Sequence, residues 1–158
     1  MYKRQAQKDS KLYLICTGNK FSQGEEDKLS KLHIKNKTLQ INASDKELSE
    51  LYTRASLFVF PSLYEGFGIP ILEAYACHCP IAISNTSCFP EIAGDAAIYF
   101  DPYSVKDIAN TIEAIIYNPQ KANELIQKGI KRLELYSWEK TVVETEETYK
   151  KAIQGYNF

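Results

Sequence analysis

Two carboxylates, Glu65 and Glu73, stand on either side of the run Gly66-Phe67-Gly68-Ile69-Pro70-Ile71-Leu72. The glycines allow a backbone to approach a ligand closely. Pro70 falls near the first position of a helix, where its missing N–H costs nothing. The free N–H groups of such a helix start, at the positive end of the helix dipole, make a seat for phosphate. Glu73 lies about one turn into that helix, among Ile71, Leu72, Ala74 and Ala76. A carboxylate in so apolar a setting is costly without partners. The neighbouring hydroxyls of a ribose supply them, since both can donate to one carboxylate. Glu65, on the other side of the glycines, can accept from the hydroxyls of a second sugar. Two carboxylates bracketing a phosphate seat match a nucleotide diphosphate with a sugar at each end.

Spacing alone leaves a plainer reading open. Gly66 and Gly68 can make a tight turn, Glu65 can be solvated, and Glu73 can pair with an unrelated Lys or Arg. A dinucleotide such as NAD is disfavoured, because Ile71 stands where the third glycine of that fingerprint would be. Cys77-His78-Cys79 with Cys88 has the wrong spacing for paired metal knuckles, so no metal is assigned. These cysteines, with Cys16, are expected to be free thiols. Trp138 is expected in core packing rather than in stacking on a carbohydrate.

The elements that must position the carboxylates are short and alternate. Apolar runs at Lys11 to Cys16, Thr38 to Ile41, Leu57 to Phe60, Pro80 to Ser84 and Ala97 to Phe100 read as strands. Helical patterns fall at Glu25 to Ile34, from Ser44, at Ile69 to Cys77, Val105 to Tyr117, Lys121 to Leu135 and Trp138 to about Ile153. Pro90 to Gly94 reads as a short helical turn. Ser44 with Glu47 forms a capping box. Leu57 to Phe60 has no polar alternation, which predicts a strand buried on both faces. This order predicts a doubly wound α/β domain, a mostly parallel sheet with helices on both faces. In such folds ligands sit at the carboxyl ends of the strands, and the loop Ser62 to Gly68 follows one of them.

The chain has 158 residues, enough for one domain with a substantial core. With 19 Lys and Arg against 20 Asp and Glu it has no basic excess, which argues against a nucleic-acid partner. No run is long enough to cross a membrane and Met1 to Lys11 lacks a signal peptide's apolar region. The expected location is cytoplasmic, with a peripheral place at a membrane's inner face left open.

The stretch Ala55 to Ala74 resembles the E-x7-E region of family 4 of the retaining GT-B glycosyltransferases. The likeness continues through Asn85, Pro90 to Ala97 and Asp101-Pro102, and includes Ser137-Trp138-Glu139. It covers roughly Lys11 to Ile153 and implies the C-terminal, Rossmann-like half of a GT-B fold. By the resemblance, Glu73 binds the ribose hydroxyls of the donor and Glu65 contacts the transferred sugar in a catalytic role. Gly66, Phe67, Gly68 and Ile69 meet the donor sugar and diphosphate, and Asn42 and Ala43 lie near the nucleobase. The implied reaction transfers a hexose from a UDP- or GDP-sugar, with retention, to a glycan or lipid acceptor. It uses no metal or other cofactor. The leaving diphosphate is stabilised by an Arg and a Lys and by the helix N-terminus.

The departures from the family matter as well. The acceptor-binding N-terminal domain is not in this sequence. The family's first strand, its Arg and Lys loop and the helix after it are expected to be missing too, with Met1 to Ser10 resembling the tail of that helix. The loss opens a gap in the sheet. Three outcomes follow: the sheet closes up, another chain or a second copy fills or covers the gap, or the chain is a fragment. His78 stands where the family has a glycine in a left-handed conformation.

Overall fold

The computed structural model describes Gln5, Asp9 and residues 11–155. The resemblance of Met1 to Ser10 to a helix tail therefore lies outside the described residues, apart from Gln5 and Asp9. Gln5 is buried, and its side-chain amide donates to the Ala109 carbonyl at 3.0 Å and the Glu113 carboxylate at 3.2 Å.

The elements follow in the order β1 (Leu14–Thr17), α1 (Gln23–Lys31), a 3-10 turn (Lys35–Lys37), β2 (Thr38–Ile41), α2 (Asp45–Arg54) and β3 (Phe58–Phe60). Then come α3 (Ile69–Ala76), β4 (Ile81–Ser84), α4 (Phe89–Ala93), β5 (Ile98–Phe100), α5 (Val105–Ile116), α6 (Pro119–Leu133) and α7 (Trp138–Gly155). Local chemistry explains the starts. Ser44 accepts from the Glu47 amide while Glu47 reaches back to Ser44, and Ser22 with Glu25 repeats the arrangement ahead of α1. Ser104 and Asn118 cap α5 and α6.

All strand pairs are parallel. β4 lies between β3 and β5, and all four of its residues are buried. Its side chains alternate between two cores. Ile81 and Ile83 face a cluster with Tyr52, Ile71, Tyr75 and Phe89, built on α2, α3 and α4. Ala82 faces Phe100, Ile108, Ile112, Ile115 and Leu125, built on β5, α5 and α6. Helices thus cover both faces of this sheet, as the alternating order predicts.

The sheet does not close up. β1 and β2 pair with each other, and among the described residues no ladder joins them to β3, β4 and β5. This corrects the expectation for β3. The three residues of β3 are half-buried instead of enclosed, and β1 alternates between half-buried and exposed. Helices cover the faces of a strand and ladders complete its edges, so a strand enclosed all round needs both. Among the described residues β3 has a ladder on one edge only.

Trp138 is a further correction. It is 76% exposed, and no described residue of α7 is buried. Apolar character alone did not place it in a core, because no described element packs over that helix face.

Both histidines hold left-handed turns. His33 and His78 have φ of 56° and follow the caps of α1 and α3. After α3 the amides of His78 and Cys79 reach back to the carbonyls of Tyr75 and Ala74 at 3.0 and 2.9 Å. This is the Schellman arrangement, in which glycine is the usual residue. We expect His78→Gly to raise stability by about 0.5–1 kcal/mol, the relief of left-handed strain less the entropy of a glycine. The urea midpoint reads it, and a lower midpoint would show that the imidazole makes a stabilising contact.

Candidate active site

The site grows out of the carboxyl end of β3. Pro61 ends the strand, the loop Ser62 to Gly68 follows, and α3 begins at Ile69. Gly68 is the N-cap, buried, with φ of 97°. A Cβ there would lie 3.1 Å from Ile71 Cδ1 and 3.2 Å from Phe89 Cε1. Conformation and close packing both require glycine at this point. Gly66 is different, for nothing lies within 4 Å of the place its Cβ would take. Pro70 occupies the first turn, and the Ile71 amide bonds the Gly68 carbonyl at 2.9 Å.

Glu65 is half-buried, and its carboxylate accepts from Ser62 Oγ at 2.9 Å. Phe67 is 41% exposed and meets the Tyr136 ring edge-on at 5.7 Å. Ile69 is 52% exposed at the helix start.

Glu73 lies one turn into α3, half-buried, and accepts from Tyr52 Oη at 3.4 Å. Tyr52 is a core residue of α2, edge-on to Phe58 at 5.1 Å. Burial, reinforced by the Glu73 charge, holds its phenol well above the usual tyrosine range. It therefore stays protonated and can only donate to the carboxylate. Among the described residues neither Glu65 nor Glu73 has an ion-pair partner. The reading in which Glu73 pairs with an unrelated Lys or Arg is not what this structure holds.

The fold thus brings Glu65, Gly66, Phe67, Gly68, Ile69 and Glu73 around one helix start. Asn42 and Ala43 stand in the loop after β2, with no hydrogen bond to that segment among the described residues. Three polar side chains of the site escape a reading by spacing: Tyr52, Ser62 and Ser87. Tyr52 reads as an apolar position at helical spacing, and its hydroxyl signals nothing until α2 packs on α3. Cys79, expected to be a free thiol, is buried, and its thiol is pushed up to about 12 by desolvation. The described residues contain no group of three or more His, Cys, Asp or Glu placed to hold a metal.

Behind the loop, Arg132 of α6 fastens the end of α4. Its Nε donates to the Ile92 carbonyl at 2.8 Å, and Nη2 donates to that of Glu91. Tyr136 Oη reaches the Ile92 carbonyl at 3.3 Å. Cationic donors on the last carbonyls complete a helix end that would otherwise be unsatisfied.

A model of the family described as glycosyl transferases group 1 matches residues 1–132. This chain belongs to that family. The glycosyl transferase domain is 38% identical over 106 residues to O-antigen chain mannosyltransferase B of Escherichia coli, covering 67% of this chain and 28% of that protein. It is 33% identical over 114 residues to the MMP alpha-(1->4)-mannosyltransferase of Mycolicibacterium hassiacum, covering 70% of this chain and 28% of that protein. The chain therefore spans little more than a quarter of the length of these curated relatives. Among solved structures, HepE of Anabaena in complex with UDP and glucose superposes with a TM-score of 0.79 at 19% identity. That match covers 92% of this chain and 42% of HepE. The C-terminal domain of the group 1 protein LpcC of Francisella tularensis gives a TM-score of 0.74 at 22% identity, over 85% of this chain and 74% of that one. These structural likenesses establish a shared α/β fold. No helix among the described residues is long and apolar enough to cross a membrane.

Proposed function

We propose that the chain is the donor-binding portion of a retaining glycosyltransferase of family 4. In this reading it takes a hexose from a UDP- or GDP-sugar, and the whole enzyme passes it to a glycan or lipid acceptor. The observation that carries the reading is the pair Glu65 and Glu73, both half-buried, flanking one helix start and free of ion pairs among the described residues. A carboxylate kept partly from water without a cation calls for hydroxyl donors. A nucleotide sugar offers them at both ends. Glu73 takes the ribose hydroxyls beside Tyr52, and Glu65 takes the sugar to be transferred. The start of α3, at the positive end of the helix dipole, favours the charge that grows on the leaving diphosphate. The reading is supported by the mannosyltransferase relatives and by the fold shared with a UDP- and glucose-bound protein. It calls for no metal or other cofactor, the nucleotide sugar being a substrate.

An acceptor and further cationic groups come, on this reading, from a domain beyond the present sequence. The edges of β1 and β3 that carry no ladder among the described residues offer that domain, or a second copy, a place to join. The free cysteines fit a reducing, cytoplasmic location. The alternative is a non-catalytic domain that binds the nucleotide sugar and has lost turnover. It is favoured by one observation, that no Lys or Arg of the described chain reaches either carboxylate. Isothermal titration with UDP, GDP and their hexose conjugates tests the main reading. Saturable heat is expected, and none at millimolar ligand would overturn it. Transfer or hydrolysis, once an acceptor domain is supplied, separates enzyme from binding module.

A further inference from the structure

The segment between β4 and α4 holds the Glu65 loop by its side chains. Ser87 Oγ donates to the Glu65 carbonyl at 2.8 Å and accepts from the Glu65 amide at 3.4 Å. The Cys88 thiol, with one proton, is shared between the carbonyls of Glu65 at 3.3 Å and Phe67 at 3.1 Å. These contacts clasp both sides of Gly66, where an added Cβ would meet nothing within 4 Å. Ser87 makes them from a left-handed backbone, φ of 55°, where glycine would sit without strain. A serine kept in a glycine's conformation is explained by its hydroxyl. The hydroxyl bonds the peptide groups of Glu65, whose carboxylate is turned by Ser62. Cys88 is in turn fixed by α4, whose far end Arg132 fastens.

We propose that Ser87 and Cys88 are positioning residues for the Glu65 carboxylate. Acting through the Glu65 and Phe67 backbone, they set affinity for the sugar of the donor far more than affinity for the nucleoside diphosphate. The proposal rests on the reading of Glu65 as the contact to the transferred sugar. Ser87→Gly is the decisive variant, because it removes the hydroxyl while accepting the left-handed backbone. Were the hydroxyl without effect on the loop, the variant would be at least as stable as the wild type, with loop exchange and both affinities unchanged.

Hydrogen exchange followed by NMR, and titrations with UDP and GDP against their hexose conjugates, read the outcome. We expect amides from Glu65 to Gly68 to exchange about tenfold faster in Ser87→Gly, with β4 amides unchanged. Affinity for the sugar conjugate should fall about tenfold with that for the free diphosphate within about twofold. Cys88→Ala should act in the same direction, and Cys88→Ser, which keeps a donor, should recover most of the loss. Unchanged exchange in the loop overturns the proposal whatever the titrations show. Equal losses for conjugate and diphosphate overturn the assignment to the sugar. Faster loop exchange in a chain whose wild type binds neither ligand supports the clasp and overturns the donor-site reading alone.

Discussion

Gly129→Ala should destabilise the domain by about 2–3 kcal/mol, against the usual trend of helix interiors. In an exposed helix the same change stabilises by about 1 kcal/mol, because alanine is the better helix former. Here α6 packs on α3 with Gly129 against the ring of Tyr75. An added Cβ would lie 2.4 Å from Tyr75 Cδ1, 2.9 Å from Cε1 and 3.1 Å from Cγ. The ring is 2% exposed and enclosed by the larger core, so it has nowhere to swing. The helices must move apart, and contacts on both sides of the seam are lost together. A fall of about 5–10 °C in the thermal midpoint is the corresponding signal. In a Tyr75→Leu background the cost of the alanine should shrink, since the obstructing ring is gone, and a double-mutant cycle measures that coupling. A midpoint raised by Gly129→Ala would mean that α6 does not lie on α3 as described. The seam also bears on the site, because the next turn of α6 carries Arg132, which fastens α4 behind the Glu65 loop.

Glu73→Ala should abolish nucleotide binding and leave the fold standing. Two ribose hydroxyls donating to one carboxylate contribute about 3–5 kcal/mol together, each bond being to a charged acceptor. Their loss lowers affinity by roughly two orders of magnitude or more, and takes a micromolar ligand out of measurable range. The fold loses little. Glu73 gives it one hydrogen bond, from Tyr52 at 3.4 Å, and no ion pair among the described residues. Alanine also suits a helix and ends the partial desolvation of a charge, so stability should stay within about 1 kcal/mol of the wild type. Titration and a urea melt on the same preparation check both halves. Retained affinity would remove Glu73 from the ribose, and a collapse of the fold would mark it as structural. Tyr52→Phe should cause a smaller loss of affinity, because it removes only the donor that orients the carboxylate.

Much of the site is legible in the amino-acid sequence. Glu65, Gly66, Gly68, Pro70 and Glu73 are local in the chain, and their meaning is local. A proline after a strand, glycines before a helix and a carboxylate one turn on follow from backbone sterics and helix periodicity. The capping box at Ser44 is readable for the same reason, and its twin at Ser22 carries the same pattern. Asn42 and Ala43 are legible only through resemblance, and the fold keeps them in the loop after the other sheet.

By itself the sequence determined the alternation of strands and helices, their boundaries to within a few residues, and the carboxylates flanking a helix start. Each of these depends on neighbours within a turn or a strand. Tertiary structure decided what depends on distant partners. It left β3 half-buried, with a ladder on one edge only among the described residues, and it left Trp138 exposed, because no described element covers α7. It also set Tyr52 beside Glu73, 21 positions away, and Ser87 against Glu65, 22 positions away. No periodicity encodes such pairs. They arise when packed helices and parallel strands bring separate segments of the chain together, where the polar groups of each complete those of the other.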